Sequence, residues 1–186
     1  MSLMPVLKIG VLNGWILMLY PLIHPLLIML IVTDATQKMQ TGNQDKAEKT
    51  VFMFNNVVLF FGLFIFSLFL PLKLGTAWFY VGLALCILGI IGWTVAIINI
   101  AKIPLDKPWT MGLYRYSRHP MLLSGSLVFI GTGIAIASWI FLLFAVIFIV
   151  LSIIAANYEE RHCLEKYGNS YGDYMNRTPK WAGIPK

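Results

Sequence analysis

Two short stretches hold most of the residues able to do chemistry. Tyr114, Arg115, Tyr116, Arg118, His119 and Pro120 stand just before a long apolar run, and Tyr158, Glu159, Glu160, Arg161 and His162 stand just after it. An arginine pairs with a carboxylate through two parallel bonds, carboxylates accept from ribose hydroxyls or an ammonium, and a tyrosine face tolerates a cation. This mixture of charges suits a zwitterionic ligand better than a purely anionic one. A nucleotide-phosphate site would add a glycine-rich turn, and neither GxxxxGKS/T nor GxGxxG occurs. S-adenosylmethionine presents a ribose diol, an ammonium, a carboxylate and a sulfonium together, and so matches the set. The same residue types also serve as lipid-facing anchors and local ion pairs at the ends of membrane spans, and residue type alone leaves both readings open. Their concentration at the two ends of one apolar run favours a site. No CxxC or His/Cys cluster is present, so no metal site is expected; Cys86 lies within an apolar run and Cys163 in a charged tail.

The elements that must position these groups are membrane helices. Of the 186 residues, 59% are hydrophobic and only 12% charged, with a mean hydropathy of +0.77. A soluble domain of this size carries about twice that share of charge. Apolar stretches run over 11–32, 51–72, 78–98 and 121–156. The last is too long for one span, which needs about 20 residues, and it is interrupted at Gly131-Thr132-Gly133 and at Ala137-Ser138-Trp139. The expected fold is therefore all-α and integral to the membrane, with about five transmembrane helices, the last two forming a tight hairpin. The whole chain, 1–186, reads as a single membrane domain: three N-terminal spans within 1–100, then a cofactor-binding loop, the hairpin and a helical tail within 101–186. A rise of 1.5 Å per residue brings Glu159 and Glu160 back to within about one helical turn of Arg118 and His119.

Charge sets the expected orientation. Twelve of the fourteen lysines and arginines fall in the 33–50 loop, the 99–120 segment and the C-terminal tail, leaving Lys8 and Lys73 on the other side. The positive-inside rule then puts the N-terminus outside, and the 99–120 segment and the tail in the cytoplasm. The net charge of +6 flanks apolar runs and forms no stripe on a soluble face, so membrane lipids, and no nucleic acid, are the expected partners. Thr33 to Thr50 reads as a solvated connector, and Pro104 and Pro108 disfavour helix around Trp109, a residue suited to anchoring at the interface. The last helix is expected to run past Ala156 into water and to stop at Gly168 in a left-handed cap.

The pattern Gly112-x-Tyr114-x-x-x-Arg118-His119-Pro120, an apolar hairpin, then Glu159-Glu160-x-x-x-Leu164-x-x-Tyr167-Gly168-x-x-Tyr171-x-x-Tyr174 resembles the isoprenylcysteine carboxyl methyltransferase family. That family belongs to a wider group of integral membrane methyltransferases that includes phospholipid N-methyltransferases. The likeness covers roughly the C-terminal 75 residues. It implies S-adenosylmethionine as cofactor and methyl transfer to a lipophilic acceptor. It also implies a pocket lined by Tyr114, His119, Pro120, Glu159 and Glu160, with Arg118 and Glu160 nearest the chemistry. The family often has a tyrosine two residues after the proline, where this chain has Leu122, so the acceptor stays open. In-line methyl transfer asks mainly for positioning, which fits a chain without a catalytic triad.

Two other readings remain. The run Glu159-Glu160-x-x-Cys163-x-x-Lys166-Tyr167-Gly168 is reminiscent of NADPH-dependent sterol-type membrane reductases, which are typically much longer. A small transport or assembly protein is the non-enzymatic alternative, and it would line its mid-spans with polar groups. His24, flanked by Pro21 and Pro25, is either a functional intramembrane histidine or a structural hydrogen bond. Asn55, Asn56 and Asn99 fit interfacial positions. Gly125, Ser126, Gly131 and Gly133 favour close helix packing or leave room for a lipid chain.

Overall fold

The computed structural model describes residues 6–32, 45–104 and 107–186, and among these the regular elements are all helices. They are α1 (Trp15–Ile31), α2 (Lys46–Ser67), α3 (Ala77–Ala101), α4 (Pro120–Ala135), α5 (Trp139–Tyr167) and α6 (Asn169–Arg177). Residues 33–44 of the expected connector, Lys38 among them, lie outside the described residues, as do Leu105 and Asp106. Among the described helices α2, α3 and α5, of 22, 25 and 29 residues, are long and apolar enough to cross a bilayer. At 17 and 16 residues, α1 and α4 are apolar but shorter.

Several boundaries depart from the apolar pattern, each for a polar reason. The first helix starts at Trp15 instead of Val11 because Asn13 is buried and its amide donates to the Lys8 and Leu68 carbonyls, both at 2.6 Å. Backbone bonds from Gly14 to Leu70 and from Leu72 to Leu12 then hold the chain before α1 against the chain after α2. The reading of Thr33–Thr50 as a solvated connector fails from Asp45 onward. Asp45 and Glu48 form a reciprocal capping box that starts α2 at Lys46, and Glu48 is only 2% exposed. Asn55 is not interfacial either. A π-helical turn over Phe54–Leu59 turns it inward, where it donates to Ser152 Oγ on α5 at 2.8 Å, while Asn56 stays exposed and bonds back to Phe52.

The closest packing joins α3 to α4. A Cβ on Gly82 would stand 2.4 Å from backbone atoms of Ala135 and Gly131, and one on Gly131 would stand 2.7 Å from the Gly82 carbonyl oxygen. The two backbones therefore touch, which only hydrogen side chains permit. Gly125 packs against the Trp93 ring and Gly133 against Leu142 and Phe141, so these small residues are packing positions as well. After Ile136 the chain turns through Ala137, at φ 52°, and Ser138 caps α5 by accepting from the Phe141 N–H. The helix α5 then continues to Tyr167, as expected. Gly168 has the expected positive φ, 54°, but its ψ of −132° takes it out of the left-handed helical region, and α6 begins at the next residue.

Replacing Gly82 with valine drives a branched side chain into the α4 backbone and should lower stability by about 3 kcal/mol or more. Gly62→Ala, at a position with open space around it, should stay within about 0.5 kcal/mol of wild type. Thermal denaturation of the detergent-purified protein compares the two; equal midpoints would mean that α3 and α4 do not meet at these glycines.

Candidate functional site

The site is built where α4 begins, and the turn before it is anchored in the core. Gly112 opens a 3-10 turn at φ +61°, and a Cβ there would collide with the Asn99 side chain. This turn carries Tyr114 into the core, where it packs edge-on against Trp109 at 5.7 Å and is 3% exposed. Trp109 is thus a packing partner of Tyr114 in addition to any interfacial role. From α6, the Tyr174 hydroxyl donates to the Tyr114 carbonyl at 2.7 Å. Burial pushes the phenols of Tyr114, Tyr171 and Tyr174 well above their ordinary range, so all three stay protonated and Tyr174 remains a donor.

Beyond the turn, the chain pairs with the C-terminal tail. The Arg118 N–H donates to the Pro179 carbonyl at 3.1 Å, Ser117 Oγ to the Lys180 carbonyl at 3.3 Å, and the Gly183 N–H to the Tyr116 carbonyl at 3.0 Å. Pro120 then takes the first helical position, where its missing N–H costs nothing. Held this way, His119 lies between two carboxylates. Its Nε2 bonds Glu160 Oε1 at 2.9 Å, and its Nδ1 lies 3.8 Å from Glu159 Oε2. Trp181 closes over the imidazole with ring centres 5.9 Å apart.

Glu160 is the hub. Besides His119, it receives Lys180 Nζ on Oε2 at 2.9 Å and has Arg118 Nη1 3.3 Å from Oε1. Three segments of the chain thus converge on one carboxylate: the residues before α4, helix α5 and the tail. Neighbouring positions on a helix point about 100° apart. That separation puts Glu160 inside, at 8% exposure, and leaves the Glu159 carboxylate about half exposed.

Arg118 has capacity left over. Its Nε is buried with no hydrogen-bond partner among the described residues, and its Nη1 has only the ion pair with Glu160. Its side chain lines a cleft of about 240 Å³ together with Arg177, Lys180 and Lys186, and neither Asp nor Glu is among the residues of that wall. A cleft whose charged side chains are all cations, one of them an arginine, is suited to binding an anionic group such as a carboxylate.

Of the residues singled out from sequence, Arg118, His119, Glu159 and Glu160 meet around this point, with Pro120 shaping the helix start; Tyr114 lies in the core behind them. Lys180, Trp181 and Ser117 escaped notice, because a lysine in a basic tail and a lone serine carry no spacing signal. Tyr174 was visible only as part of the tail motif. His162 and Arg161 turn away from this cluster. Both bind Glu48, His162 Nε2 at 3.0 Å from Oε2 and Arg161 through Nη2 to Oε1, and so clasp the start of α2 to α5. Among the described residues no group of His, Cys, Asp and Glu is placed to hold a metal ion.

Residues 72–170, more than half of the chain, match the sequence profile of the phospholipid methyltransferase family. The match takes in α3, the turn before α4, both helices that follow and the start of α6, and it agrees with the family resemblance carried by the Arg118-His119-Pro120 and Glu159-Glu160 motifs. No curated protein matches the chain.

The protonated tyrosines give the site a pH dependence. In the unfolded chain tyrosines lose their protons near pH 10, whereas Tyr114, Tyr171 and Tyr174 keep theirs in the folded protein to higher pH. Above pH 10 the folded state therefore binds more protons, and stability falls as pH rises, by up to about 1.4 kcal/mol per pH unit for each tyrosine. Urea or thermal unfolding between pH 9 and pH 11 should show this loss. Tyr174→Phe should reduce its slope; an unchanged slope would place Tyr174 in solvent.

Proposed function

Because the chain belongs to the phospholipid methyltransferase family, we propose that it transfers a methyl group from S-adenosylmethionine to a lipophilic acceptor held in the membrane. The observation that carries this reading is the cleft whose charged side chains, Arg118, Arg177, Lys180 and Lys186, are all cations, with Arg118 and Lys180 both held by Glu160. When bound, S-adenosylmethionine supplies an electrophilic methyl on a sulfonium.

The residues of this chain do the positioning. Arg118 binds the cofactor's carboxylate through its guanidinium, and Lys186 and Arg177 add positive potential to the same cleft. Glu160 holds Arg118, His119 and Lys180 in place, so that none must reorganise when ligand arrives. The exposed carboxylate of Glu159 accepts from an ammonium or a ribose hydroxyl. His119, fixed by Glu160 and covered by Trp181, presents its ring edge at the start of α4, where Pro120 sets the helix direction. Tyr114 contributes from behind, by holding the turn that places Arg118. No general base is required for an acceptor that is already a carboxylate or an uncharged amine.

In the membrane we assign five spans, α1 to α5, with α4 and α5 as a hairpin, the N-terminus outside and the cluster around Glu160 on the cytoplasmic side. The short helices α1 and α4, of 17 and 16 residues, lie at the lower end of the length that a span needs. A cytoplasmic cleft admits a soluble cofactor, while the acceptor arrives from the bilayer between helices.

Calorimetry on detergent-purified full-length protein tests the cofactor. S-adenosylmethionine and its demethylated product should bind saturably, and Arg118→Ala should weaken binding by about 10- to 100-fold, the worth of a charge-assisted hydrogen bond. Absence of binding by folded protein, or binding of NADPH in its place, would overturn the reading.

A further inference from the structure

A lysine in a basic C-terminal segment is ordinarily a solvated side chain, and Lys180 is not. Its carbonyl accepts from Ser117 Oγ at 3.3 Å, and the Pro179 carbonyl before it accepts from the Arg118 N–H at 3.1 Å. The backbone of Lys180 is therefore fixed beside the residues that lead into α4. Its side chain, 22% exposed, reaches α5. There Nζ donates to Glu160 Oε2 at 2.9 Å and to Asn157 Oδ1, and it lies 5.6 Å from the centre of the Trp181 ring. An ammonium carries three donors; two are held by α5, and an aromatic face borders the charge.

The two oxygens of Glu160 are divided between partners. Oε1 serves His119 Nε2 at 2.9 Å and Arg118 Nη1 at 3.3 Å, and both groups precede α4. Oε2 serves Lys180. The terminal torsion of a glutamate is broad and roughly two-fold, so its carboxylate keeps one orientation only when both oxygens are held. Glu160 Oε1 is in turn the ion-pair partner of Arg118, whose Nε has no hydrogen-bond partner among the described residues. The guanidinium is thus placed by an oxygen whose own place depends on Lys180.

We propose that Lys180 is a positioning residue. It fixes the Glu160 carboxylate through Oε2, and through Glu160 it fixes the Arg118 guanidinium at the cleft that both side chains line. The step rests on the reading above, in which Arg118 binds the carboxylate of the cofactor. A compact ammonium on a flexible stem suits the part, since it reaches two acceptors and leaves Oε1 to the planar guanidinium. Lys180 lies beyond residue 170, where the family match ends, so the tail adds a part of the site that lies outside that match. Lys186 lines the same cleft with no ion pair among the described residues, and it contributes positive potential without acting on Glu160.

A double-mutant cycle on detergent-purified full-length protein tests this, with calorimetry of S-adenosylhomocysteine, the demethylated product, as the readout. Lys180→Met should raise Kd about tenfold with the number of sites unchanged. A purely structural lysine would instead lower the fraction of binding-competent protein and leave Kd alone. Glu160→Gln keeps the shape of the side chain and removes its charge. In that background Lys180→Met should change Kd by less than about twofold, because the path through Glu160 is already broken. Lys186→Met should keep its effect in both backgrounds. Lys180→Gln retains an N–H for Oε2 and should recover part of the loss, and it replaces Lys180→Met in the cycle should that variant not fold. An unchanged Kd in Lys180→Met would overturn the proposal. So would an equal loss in wild type and Glu160→Gln, which would make Lys180 a direct ligand contact. Wild-type binding with additive variants removes the positioning alone, whereas absence of wild-type binding removes the cofactor reading and the positioning with it.

Discussion

Backbone contact between α3 and α4 is the constraint on which the functional end of the molecule depends. In lipid, helices gain little by hiding apolar surface from one another, and association relies on close van der Waals packing where side chains are small. Gly82 against Gly131 and Ala135, with Gly89 against Val128, provides that approach. Once α4 is seated on α3, the position of its first turn follows, and with it the position of His119 and Arg118. The turn that leads into α4 is seated in the same way, since Gly112 leaves room only for the Asn99 side chain.

The polar end is organised by one carboxylate. Glu160 accepts from or pairs with His119, Lys180 and Arg118, groups that come from two segments of chain lying 61 residues apart in sequence. Removing so many charges from water is costly unless each finds a partner, and a single acidic centre with several cationic neighbours meets that condition while leaving a surplus of positive charge. The surplus faces the cleft of Arg118, Arg177 and Lys186. Nearby, Glu48 performs a purely structural version of the same arrangement with Arg161 and His162. The two clasps sit on neighbouring positions of α5, so that helix ties the start of α2 to the start of α4.

A cavity among α1, α3, α4 and α5 has the opposite character. Its wall is mainly apolar, with His24, Trp93, Ser126 and Ser152 as the polar members, and it reaches Met121 and Leu122 at the start of α4. The membership of the chain in a methyltransferase family gives the type of reaction to expect of the site beside it.

Much of this was legible in the residues alone. Length and hydropathy determine that the helices belong in a membrane, the break at Ala137-Ser138 divides the last apolar run, and helical rise returns Glu159 and Glu160 to the level of Arg118 and His119, because each of these follows from local periodicity. The boundaries near Asn13, Asp45 and Asn55 were not legible, since a polar residue in a loop or at a helix end looks the same whether it meets water or a buried partner. Only the tertiary structure decided that Glu160 faces inward and Glu159 outward, that Lys180 and Trp181 from the tail complete the cluster, and that His162 turns to Glu48. The reason is physical: burial and pairing of charge depend on which distant segments pack together, and no spacing within a single helix encodes that.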